Sequence, residues 1–515
     1  MANPHPGSVC PADGRELPPV EASSRDDVHR AIISARKAQV EWGQLSVGQR
    51  AELLKQVGQR ILDNQEAGCQ VLSDETGRGK TECRMTEIAS TADYIKGAIR
   101  AAKVALEPER IKLSSLDFPG KRVVVEPLPR GVIGIIAPWN YPISNFYKSL
   151  WPALLAGNGV VMKPSEHSPR SGAWLHEQVS AVLPEGLVGL VQGRGDVGQG
   201  LIDEGVDSIV FTGSVPTGRK VALAAAERLI PASLELGGKD AAIVLSDCDL
   251  ERTAVGIAQW SMHNAGQNCA GIERVYVESS IADEFVKRLG NIASKLRVAP
   301  GDGPTDLGPL QNAAQLAIVE RHVADAVAKG ATVVAGGEAT GNGYGYRPTV
   351  LDHCTPDMLV VAEETFGPVV AVIRVDDAAD AVKQANASKY GLNGSIWTRD
   401  IARGEALARR LEVGVALVNN HSFTGILPET PWTGVKETGT GIAASRHAYH
   451  SFVRPRTVLV DSSSKPDPFW FPANDDLEAM SQALVLRNQG SFGALFKLAG
   501  LLGKRIKAIR GLAQG

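Results

Sequence analysis

Residues 208–222, SIVFTGSVPTGRKVA, combine a short apolar run, a Gly-Ser turn and the beginning of a helical pattern. Gly213 and Gly218 leave space beside the start of the helix, and Ser214 is a residue type that caps helix N-termini. Free backbone N–H groups at such an N-terminus suit a pyrophosphate. The stretch does not have the usual G-x-G-x-x-G spacing, so an ordinary strand-to-helix turn explains it as well as a dinucleotide site does.

The same order of strand and helix occurs twice just upstream. GVVMKPSE (159–166) precedes a helix expected from Pro169, and VGLVQG (188–193) precedes a helix expected from Asp196. Strands that alternate with amphipathic helices predict a parallel sheet in a doubly wound α/β fold. A second α/β series is predicted beyond residue 250, with helices over 249–264, 281–297 and 311–329 and strands at 273–277 and near 332, 349 and 369.

The segments outside this pattern differ in composition. Helical periodicity predicts three helices before the sheet, over 26–42, 47–64 and 81–103. KRVVVEPLPRGVIGIIAPW (121–139) contains two β-rich runs that prolines and a glycine separate. SFVRPRTVLVD (451–461) is an isolated β-rich run with a proline and arginines, which suits a strand at the edge of a sheet.

Length, charge and cysteine content restrict the class of protein. The chain of 515 residues is too long for one hydrophobic core, so two or three structural units are expected. A net charge of −3 argues against a nucleic-acid-binding protein, which needs a basic surface. The six cysteines form no Cys-x-x-Cys pair and no cluster at zinc spacing, so neither disulfides nor a metal site are expected. Because the sequence shows no signal-peptide pattern and no apolar run long enough to span a bilayer, we expect a cytoplasmic protein.

Three residues are candidates for the chemistry. Cys269 lies in NAGQNCAGIERVYV (264–277), where it is either a small core residue or a nucleophile on a loop that backbone amides approach closely. Glu235 lies in SLELGGKDAAIVL (233–245), where burial would raise its pKa and suit a general base, or where a lysine partner would neutralise it. Asn140 follows a strong strand, where its amide either donates to an oxyanion or shapes a turn.

Two further loops carry side chains that suit a dinucleotide. Lys163 and Glu166 end a predicted strand, where open α/β sheets bind ligands. The lysine would bond ribose hydroxyls and the glutamate would repel a 2′-phosphate, and a solvated charged loop is the alternative. Glu364 and Phe366, in EETFGPVVAV (363–372), suit ribose hydroxyls and a nicotinamide ring, or else a loop with a core phenylalanine.

Seven short blocks occur in a characteristic order along the chain. They are Pro-Trp-Asn (138–140), Lys-Pro-Ser-Glu (163–166), the Gly-Ser turn (213–218), Glu-Leu-Gly-Gly-Lys (235–239), Gly-Gln-Asn-Cys (266–269), Glu-Glu-Thr-Phe-Gly-Pro (363–368) and PWTGVKETGTG (431–441). From about residue 20 to residue 461, this series resembles the NAD(P)-dependent aldehyde dehydrogenase superfamily. The stretch HSFTGILPET (421–430) matches no substrate subgroup, so the aldehyde is left open.

The resemblance implies a role for each candidate residue. Cys269 is the nucleophile, Glu235 the general base and Asn140 the oxyanion donor. The implied cofactor contacts are Trp139, Lys163, Ser165, Glu166, Gly213, Ser214, Glu364 and Phe366. The cofactor is NAD because Glu166 disfavours a 2′-phosphate, although Lys163 and Ser165 together would accept NADP. No metal ligand is implied.

The resemblance also implies a division of the chain. Residues 1–110 and 130–237 form a Rossmann-type dinucleotide-binding domain, and residues 238–450 form an α/β catalytic domain. A small β oligomerisation arm, 111–129 with 451–461, joins copies into a homodimer or homotetramer. Residues 462–515 are a C-terminal extension that the family core does not require.

The implied reaction is the NAD(P)+-dependent oxidation of an aldehyde to the carboxylic acid through a Cys269 thiohemiacetal and thioester. Three alternatives stay open. A CoA-acylating relative would pass the thioester to a thiol and has no need of Glu235. A phosphosugar-aldehyde dehydrogenase would need extra basic residues at the substrate mouth. A non-catalytic binding or structural protein on this fold would tolerate the loss of Asn140, Glu235 or Cys269.

The extension ends in a basic, amphipathic pattern. In SFGALFKLAGLLGKRIKAIRGL (491–512), apolar residues recur at helical spacing, at Phe492, Leu495, Phe496, Leu502, Ile506 and Ile509. Lysines and arginines accompany them, and no acid occurs from residue 487 onward. Such a helix can lie in an anionic membrane interface, which would suit lipid-derived aldehydes, or it can pack on the subunit's own surface or a neighbour's.

Overall fold

The structure, a computed structural model of the chain, describes residues 9–115, 117–298 and 305–512. The α-helices are α1 (Arg25–Gln44), α2 (Val47–Asp63), α3 (Gln65–Thr76), α4 (Lys80–Cys83), α5 (Ala89–Ala105), α6 (Ser144–Leu155), α7 (Pro169–Ser180), α8 (Gly195–Asp203), α9 (Val215–Glu227), α10 (Leu250–Met262), α11 (Ala282–Ala293), α12 (Ala313–Ala328), α13 (Leu359–Ala362), α14 (Ala378–Asn386), α15 (Ile401–Ala408), α16 (Asp475–Asn488) and α17 (Phe492–Leu512).

The strands are β1 (Glu109–Ile111), β2 (Lys121–Pro129), β3 (Val132–Ile136), β4 (Gly159–Lys163), β5 (Val188–Leu190), β6 (Ser208–Thr212), β7 (Ala232–Glu235), β8 (Asp240–Val244), β9 (Ile272–Glu278), β10 (Thr332–Ala335), β11 (Thr349–Asp352), β12 (Val369–Val375), β13 (Tyr390–Gly391), β14 (Asn393–Trp397), β15 (Val415–Val418), β16 (Trp432–Thr433), β17 (Val435–Lys436), β18 (Ile442–Ala443) and β19 (Val453–Asp461).

A five-stranded parallel sheet, of order β5-β4-β3-β6-β7, forms in the segment predicted to bind the dinucleotide. Its strands are apolar on both faces: in β3, Ile133 and Ile135 belong to one apolar core, and Val132 and Ile136 belong to another. The chain adds β4 and β5 on one side of β3 and then β6 and β7 on the other. Ligands of open α/β sheets bind beyond the carboxyl ends of the strands where the order reverses, here at β3 and β6.

A seven-stranded sheet has the order β10-β11-β12-β9-β8-β14-β15. Its strands are parallel except for the antiparallel pair β10 and β11. Successive residues again point into different cores, with Ala241 and Ile243 of β8 in one and Ala242 and Val244 in the other. The predicted α/β class with parallel sheets is therefore confirmed.

Several helices differ from the sequence prediction at their ends. α10 ends at Met262, and His263–Gly266 form a 3-10 turn where the helix was predicted to reach 264. α11 ends at Ala293 rather than at 297. Within the helix predicted over 81–103, Arg84–Ile88 form a π-helical turn.

The sequence analysis did not predict α3, α6, α13, α14, α15 or α16. No turn signal separates α3 from α2, because Asn64 is both the last cap of α2 and the first cap of α3. The buried side chains of α16 are limited to Met480 and Ala483, so its apolar stripe is too narrow to stand out in the sequence.

Residue contacts divide the chain into two compact units. The first comprises the chain up to Glu107 together with Leu128–Arg454, and it contains both large sheets. The second comprises Pro108–Pro127 and the chain from Pro455 onward, which includes most of the three-stranded sheet β1-β2-β19 and the helices α16 and α17. No helix in the described ranges combines the length and the apolar character needed to cross a bilayer. The finer division into dinucleotide, catalytic and arm domains stays a prediction.

Candidate active site

Cys269 differs from the other cysteines in its exposure. Cys10, Cys69, Cys83, Cys248 and Cys354 are buried, whereas Cys269 is partly exposed. Cys269 lines a cavity of about 320 Å³ whose lining also includes Glu235. A role as a core filler does not account for a thiol that lines a cavity, so the structure favours the nucleophile interpretation.

The loop before Cys269 has a left-handed backbone at three successive residues. The φ angles of Asn264, Ala265 and Gly266 are 55°, 52° and 70°. A side chain at Gly266 would overlap the carbonyl oxygen of Gly367, so only glycine fits there. The Asn264 side chain donates to the carbonyl oxygens of Asn140 at 2.9 Å and Gln267 at 3.1 Å. These bonds join the loop before Cys269, residues 264–268, to the loop that follows β3.

Asn140 is buried beside the loop that precedes Cys269. Asn145 donates a hydrogen bond of 3.1 Å to Asn140 Oδ1, which leaves Asn140 Nδ2 to face the loop. Nδ2 donates to the carbonyl oxygen of Gln267 at 3.1 Å, and its second N–H has no acceptor among the described residues. The backbone N–H of Cys269 also lacks an acceptor within the described ranges. Both N–H groups are therefore unengaged within the described residues, and Asn140 itself is not among the residues that line the cavity of Cys269.

Glu235 ends β7 and lines the same cavity. The nearby lysine that offered an alternative explanation, Lys239, pairs with Glu273 instead, and Glu235 forms no ion pair within the described part of the chain. Burial raises the pKa of Glu235 to about 7, and the charge of Lys148 opposes that rise. A carboxylate that titrates near neutral pH suits a general base.

The surroundings of Cys269 favour the protonated form of its thiol. Burial raises the pKa of Cys269 to about 12, and the strongest opposing influence is the charge of Lys148. Because the thiolate is the nucleophilic form, a cation that lowers this pKa favours reaction.

Lys148 is a site residue that the sequence analysis missed. It lies on α6 and lines the cavity, with Nζ 5.0 Å from the centroid of the Trp432 ring and 6.0 Å from that of Tyr94. Aromatic faces attract a cation at such distances. No carboxylate in the described ranges forms an ion pair with Lys148, so its charge is available to the cavity. A lone charged residue within the otherwise uncharged helix SNFYKSLWPALL was the signal that could have found it.

A buried carboxylate organises the loop that carries Glu364 and Phe366. Glu273 accepts hydrogen bonds from the backbone N–H groups of Thr365, at 2.7 Å, and Phe366, at 3.0 Å, while pairing with Lys239. Glu273 lies on β9 and Lys239 directly precedes β8. This pair of strands therefore fixes the loop 363–368 beside the end of β7.

Phe366 contacts another predicted cofactor residue, Trp139, and Glu364 is held by the backbone of Gly238. Glu364 Oε1 accepts a hydrogen bond of 2.9 Å from the Gly238 N–H, and burial raises the pKa of Glu364 to about 8. The ring of Phe366 stands edge-on to that of Trp139, with 5.5 Å between the ring centroids. The two aromatic residues come from the ends of separate sheets, so the site is built where the two halves of the first unit meet.

Lys163 and its neighbours lie at the carboxyl end of β4. Lys163 is buried and donates to the Pro164 carbonyl oxygen at 2.9 Å, and burial lowers its pKa while the charge of Glu166 raises it. The ammonium has further N–H groups to offer a hydroxyl. Ser165 Oγ accepts a hydrogen bond of 3.2 Å from the His167 N–H, and Glu166 is partly exposed.

Ser214 occupies the predicted cap position of α9 without making the predicted bond. Its hydroxyl donates to Thr217 Oγ1 at 3.1 Å, and no side chain caps the backbone N–H groups of the first turn. Gly213 donates its backbone N–H to the carbonyl oxygen of Glu235 at 3.0 Å. An uncapped N-terminus at the end of β6 fits a pyrophosphate, which accepts hydrogen bonds from such groups.

The family model for the aldehyde dehydrogenase family matches residues 4–458. The chain belongs to the aldehyde dehydrogenase family. It is 36% identical to the 4,4'-diapolycopene aldehyde oxidase of Methylomonas sp over 90% of this chain and 88% of that protein. It is 35% identical to a Mycobacterium ulcerans protein provisionally named succinate-semialdehyde dehydrogenase (NADP+) 2, over 88% of each. The structure of PnpE, from Pseudomonas sp. WBC-3, in complex with nicotinamide adenine dinucleotide is 32% identical with a TM-score of 0.87, and the match covers 91% of this chain and 96% of PnpE.

The aldehyde dehydrogenase is an oxidoreductase that oxidises aldehydes with NAD or NADP as the acceptor, as the sequence predicted. All seven motif blocks lie inside the matched range, and α16 and α17 lie outside it. The assignment of a role to each residue of the site remains to be proposed from the geometry.

Proposed function

We propose that this aldehyde dehydrogenase works by covalent catalysis at Cys269. The thiolate forms a bond to the carbonyl carbon of the aldehyde, and the carbonyl oxygen takes the negative charge of a thiohemiacetal. Oxidation of the thiohemiacetal leaves a thioester on Cys269. Hydrolysis then breaks the carbon–sulfur bond and releases the carboxylic acid. The single observation that carries the proposal is that the one partly exposed cysteine lines the same cavity as Glu235.

In this mechanism two N–H groups hold the oxyanion. They are the second N–H of Asn140 Nδ2 and the backbone N–H of Cys269, neither of which has an acceptor among the described residues. Asn145 fixes the orientation of the Asn140 amide before the aldehyde binds. A donor placed in advance in this way typically contributes about 3 kcal/mol to the stabilisation of such a transition state.

Glu235 is the base for hydrolysis. It takes a proton from the water that attacks the thioester, and its pKa of about 7 supports that task at neutral pH. A CoA-acylating enzyme would instead transfer the acyl group from Cys269 to the thiol of CoA. That reaction needs no activated water, so it would not require Glu235. The intact set of Asn140, Glu235 and Cys269 likewise argues against a non-catalytic protein on this fold.

The proposed cofactor site follows the carboxyl ends of β3, β4 and β6. A nicotinamide ring, when bound, accepts the hydride that the oxidation releases. Lys163 offers its remaining N–H groups to ribose hydroxyls, and Glu166 gives NAD the preference by repelling a 2′-phosphate. The uncapped start of α9, at Gly213 and Ser214, receives the pyrophosphate. Trp139, Ser165, Glu364 and Phe366 complete the proposed set of cofactor contacts.

The substitution Glu235→Gln tests the assignment. With NAD+ and an aldehyde, we expect one equivalent of NADH per active site, followed by a stall at the thioester, because the burst consumes no activated water. Glu185→Gln, at an exposed glutamate, is the control and should turn over normally. If burst and steady state fall together, Glu235 acts before the oxidation. If the unaltered protein turns over only when CoA is added, the CoA-acylating alternative is favoured.

We propose that the substrate carries a carboxylate at the end away from its aldehyde group. Lys148 is the only lysine or arginine among the described residues that line the cavity, and it forms no ion pair with a described carboxylate, although its charge acts on Glu235. One cation suits one carboxylate, whereas a phosphosugar aldehyde would call for additional basic residues. The cavity, at about 320 Å³, is at the small end of ligand sites, which supports a short substrate such as succinic semialdehyde.

This substrate proposal is tested by comparing succinic semialdehyde with butanal. In the unaltered protein, kcat/KM should favour succinic semialdehyde by roughly tenfold or more. The reason is that an ion pair between Lys148 and the substrate carboxylate contributes more binding free energy than a contact with the methyl group of butanal. Lys148→Met should remove most of that preference, and Lys148→Arg should keep it. An equal preference in all three proteins contradicts the proposal.

We propose that β19 joins two copies of the chain into a dimer, or into a tetramer built from such dimers. β19 is an edge strand of its sheet, and Val458, Leu459 and Val460 are exposed along it. An exposed apolar edge strand is a template for pairing with another chain. Light scattering should report a homo-oligomer that Leu459→Pro dissociates, whereas a monomeric unaltered protein would contradict the proposal.

We also propose that the C-terminal extension contacts an anionic membrane. On α17, Phe492 and Phe496 are 83% and 81% exposed, and Leu495 and Leu502 are exposed as well. Packing of α17 within the chain does not account for these side chains. In flotation with anionic vesicles, the full chain should partition with the lipid and a chain ending at Asp461 should not. Equal partitioning of the two would contradict the membrane proposal.

A further inference from the structure

Arg505, on α17, is a fully buried arginine without a carboxylate partner in the described ranges. Its guanidinium donates to three backbone carbonyl oxygens, those of Pro468 at 3.0 Å, Pro472 at 2.8 Å and Trp470. It also donates to Asn474 Oδ1 at 2.7 Å. All four acceptors belong to one loop, residues 468–474, called the aromatic loop below. A buried cation is costly unless it is hydrogen-bonded, so these bonds hold the loop against α17.

The aromatic loop turns its carbonyl groups toward Arg505 and its aromatic side chains toward solvent. Phe469, Trp470 and Phe471 are consecutive, and Trp470 and Phe471 are 58% and 80% exposed. Consecutive aromatic side chains that are exposed to water are unfavourable because their apolar surface is hydrated. Tryptophan and phenylalanine on a loop are, however, well suited to the interface of a bilayer, where an apolar ring is buried beside polar headgroups.

The neighbouring helix α17 has two apolar sides. Ala494, Leu498, Leu501 and Arg505 recur at intervals of four, three and four residues, and this side is buried or partly buried. Phe492, Leu495 and Phe496 lie on a different side, which nothing in the described chain covers. A helix that is apolar beyond its packed side presents a surface for a further contact.

The charge of α17 indicates what that contact is. Lys497, Lys504, Lys507 and Arg510 are exposed, and the helix carries no acid. The first turn of α16, which follows the aromatic loop, carries Asp475, Asp476 and Glu478. Attraction to an anionic surface therefore comes from α17, and the aromatic loop contributes apolar insertion. Cations combined with exposed apolar side chains match an anionic bilayer rather than a neutral protein surface.

We propose that the aromatic loop is the element that inserts into an anionic bilayer, and that Arg505 is the positioning residue that keeps its three aromatic side chains outward. This inference rests on the proposed membrane contact of the extension and names the part of it that enters the lipid. α17 lies at the headgroup level, with its lysines toward the lipid phosphates.

The test uses the full chain and vesicles of phosphatidylcholine with 30% phosphatidylglycerol. Substituting Phe469, Trp470 and Phe471 together by serine should lower the partition coefficient about tenfold, because the inserted rings are removed. Leu229→Asn, which removes an almost fully exposed leucine elsewhere, is the matched control and should partition normally. Activity on a water-soluble aldehyde should be unchanged in both variants.

The positioning role of Arg505 is tested by a measurement that reports on the insertion of Trp470 into lipid and not only on the stability of the fold. Lipids brominated at a shallow acyl position should quench a component of the tryptophan fluorescence that is absent in Trp470→Phe. Arg505→Gln should lose that component while keeping its helix content, and Arg505→Lys should retain part of it, since lysine still donates to the loop carbonyls.

The outcomes separate this inference from the membrane proposal. If Phe492→Ser with Phe496→Ser abolishes partitioning while the loop variant partitions normally, the inserted loop is wrong and the membrane contact stands. If the unaltered chain does not partition, the membrane contact itself fails. If the loop variant instead changes the oligomeric state in the absence of lipid, the aromatic loop covers a second copy of the chain, and the inference is overturned.

Discussion

Gly238 lies so close to the carbonyl oxygen of Cys269 that a side-chain carbon on Gly238 would overlap that oxygen. The Gly238 N–H at the same time donates to Glu364 Oε1 at 2.9 Å. One glycine therefore brings together the segment that follows Glu235, the loop of Cys269 and the loop of Glu364. The spacing between Glu235 and Cys269 depends on this close approach.

Gly238→Ala should abolish aldehyde oxidation and destabilise the protein. The methyl group meets backbone, which cannot rotate away, so the Cys269 loop must shift, at a cost of about 1–3 kcal/mol in unfolding free energy. We expect kcat/KM to fall at least about a hundredfold, because misplacement of a catalytic group by an ångström has that effect. Gly500→Ala, in open space on α17, is the control and should be neutral or stabilising. Normal turnover by Gly238→Ala would show that the close approach is dispensable.

Lys148→Met should slow alkylation of Cys269. The charge of Lys148 is the main influence that lowers the pKa of Cys269. Without that charge, burial raises the pKa of the thiol further. Because only the thiolate reacts, the rate of iodoacetamide modification at pH 8 should fall by roughly threefold to tenfold. Lys148→Arg keeps the charge and should react at nearly the original rate. An unchanged rate in Lys148→Met would mean that this cation does not act on the thiol.

Turnover should rise with pH through about 7. Burial disfavours the charged form of Glu235 and raises its pKa to about 7, so below that pH the group is a carboxylic acid and cannot accept a proton. Above that pH the carboxylate predominates and hydrolysis of the thioester proceeds. Between pH 6 and pH 8 the ionised fraction increases about tenfold, and kcat should follow it where hydrolysis limits the rate. A flat profile would contradict the role of Glu235 as the base.

Glu166→Gln should shift cofactor choice toward NADP+. Glu166 follows Lys163 by three residues, and its charge raises the pKa of that lysine. In the proposed cofactor site it would therefore repel a 2′-phosphate bound beside Lys163. We expect the ratio of kcat/KM for NADP+ to that for NAD+ to rise several-fold, because one repulsive charge is lost. Glu177→Gln, at an exposed position on α7, should leave the ratio unchanged. A preference for NADP+ in the unaltered protein would show that Lys163 and Ser165 outweigh Glu166.

Much of the site could be predicted because the signals are local. The strand-helix alternation placed Lys163 and Gly213 at strand ends, and the motif blocks singled out Glu235, Cys269 and Asn140. Features that depend on long-range packing could not be predicted. Lys239 is four residues from Glu235, yet it pairs with Glu273 on another strand, and only the structure shows that Glu235 has no ion pair among the described residues.

Other differences have the same physical origin. The direction in which Lys148 points depends on how α6 packs, and its aromatic partners, Tyr94 and Trp432, come from distant parts of the chain. The left-handed residues Asn264 and Ala265 end α10 early because hydrogen bonds to Asn140 and Gln267 stabilise that turn. Serine is a common capping residue, but the hydroxyl of Ser214 donates its hydrogen bond to Thr217 Oγ1 and does not cap the helix.

The covalent intermediate on Cys269 is the central claim, and trapping it is the most direct test. Glu235→Gln is mixed with NAD+ and succinic semialdehyde, quenched in acid and digested, and the peptides are analysed by mass spectrometry. The account predicts that the peptide containing Cys269 gains the mass of one acyl group, and that Cys269→Ser in the same background abolishes the adduct without loss of NAD+ binding. NADH formation with no acyl group on Cys269, or with the acyl group on another residue, would contradict it.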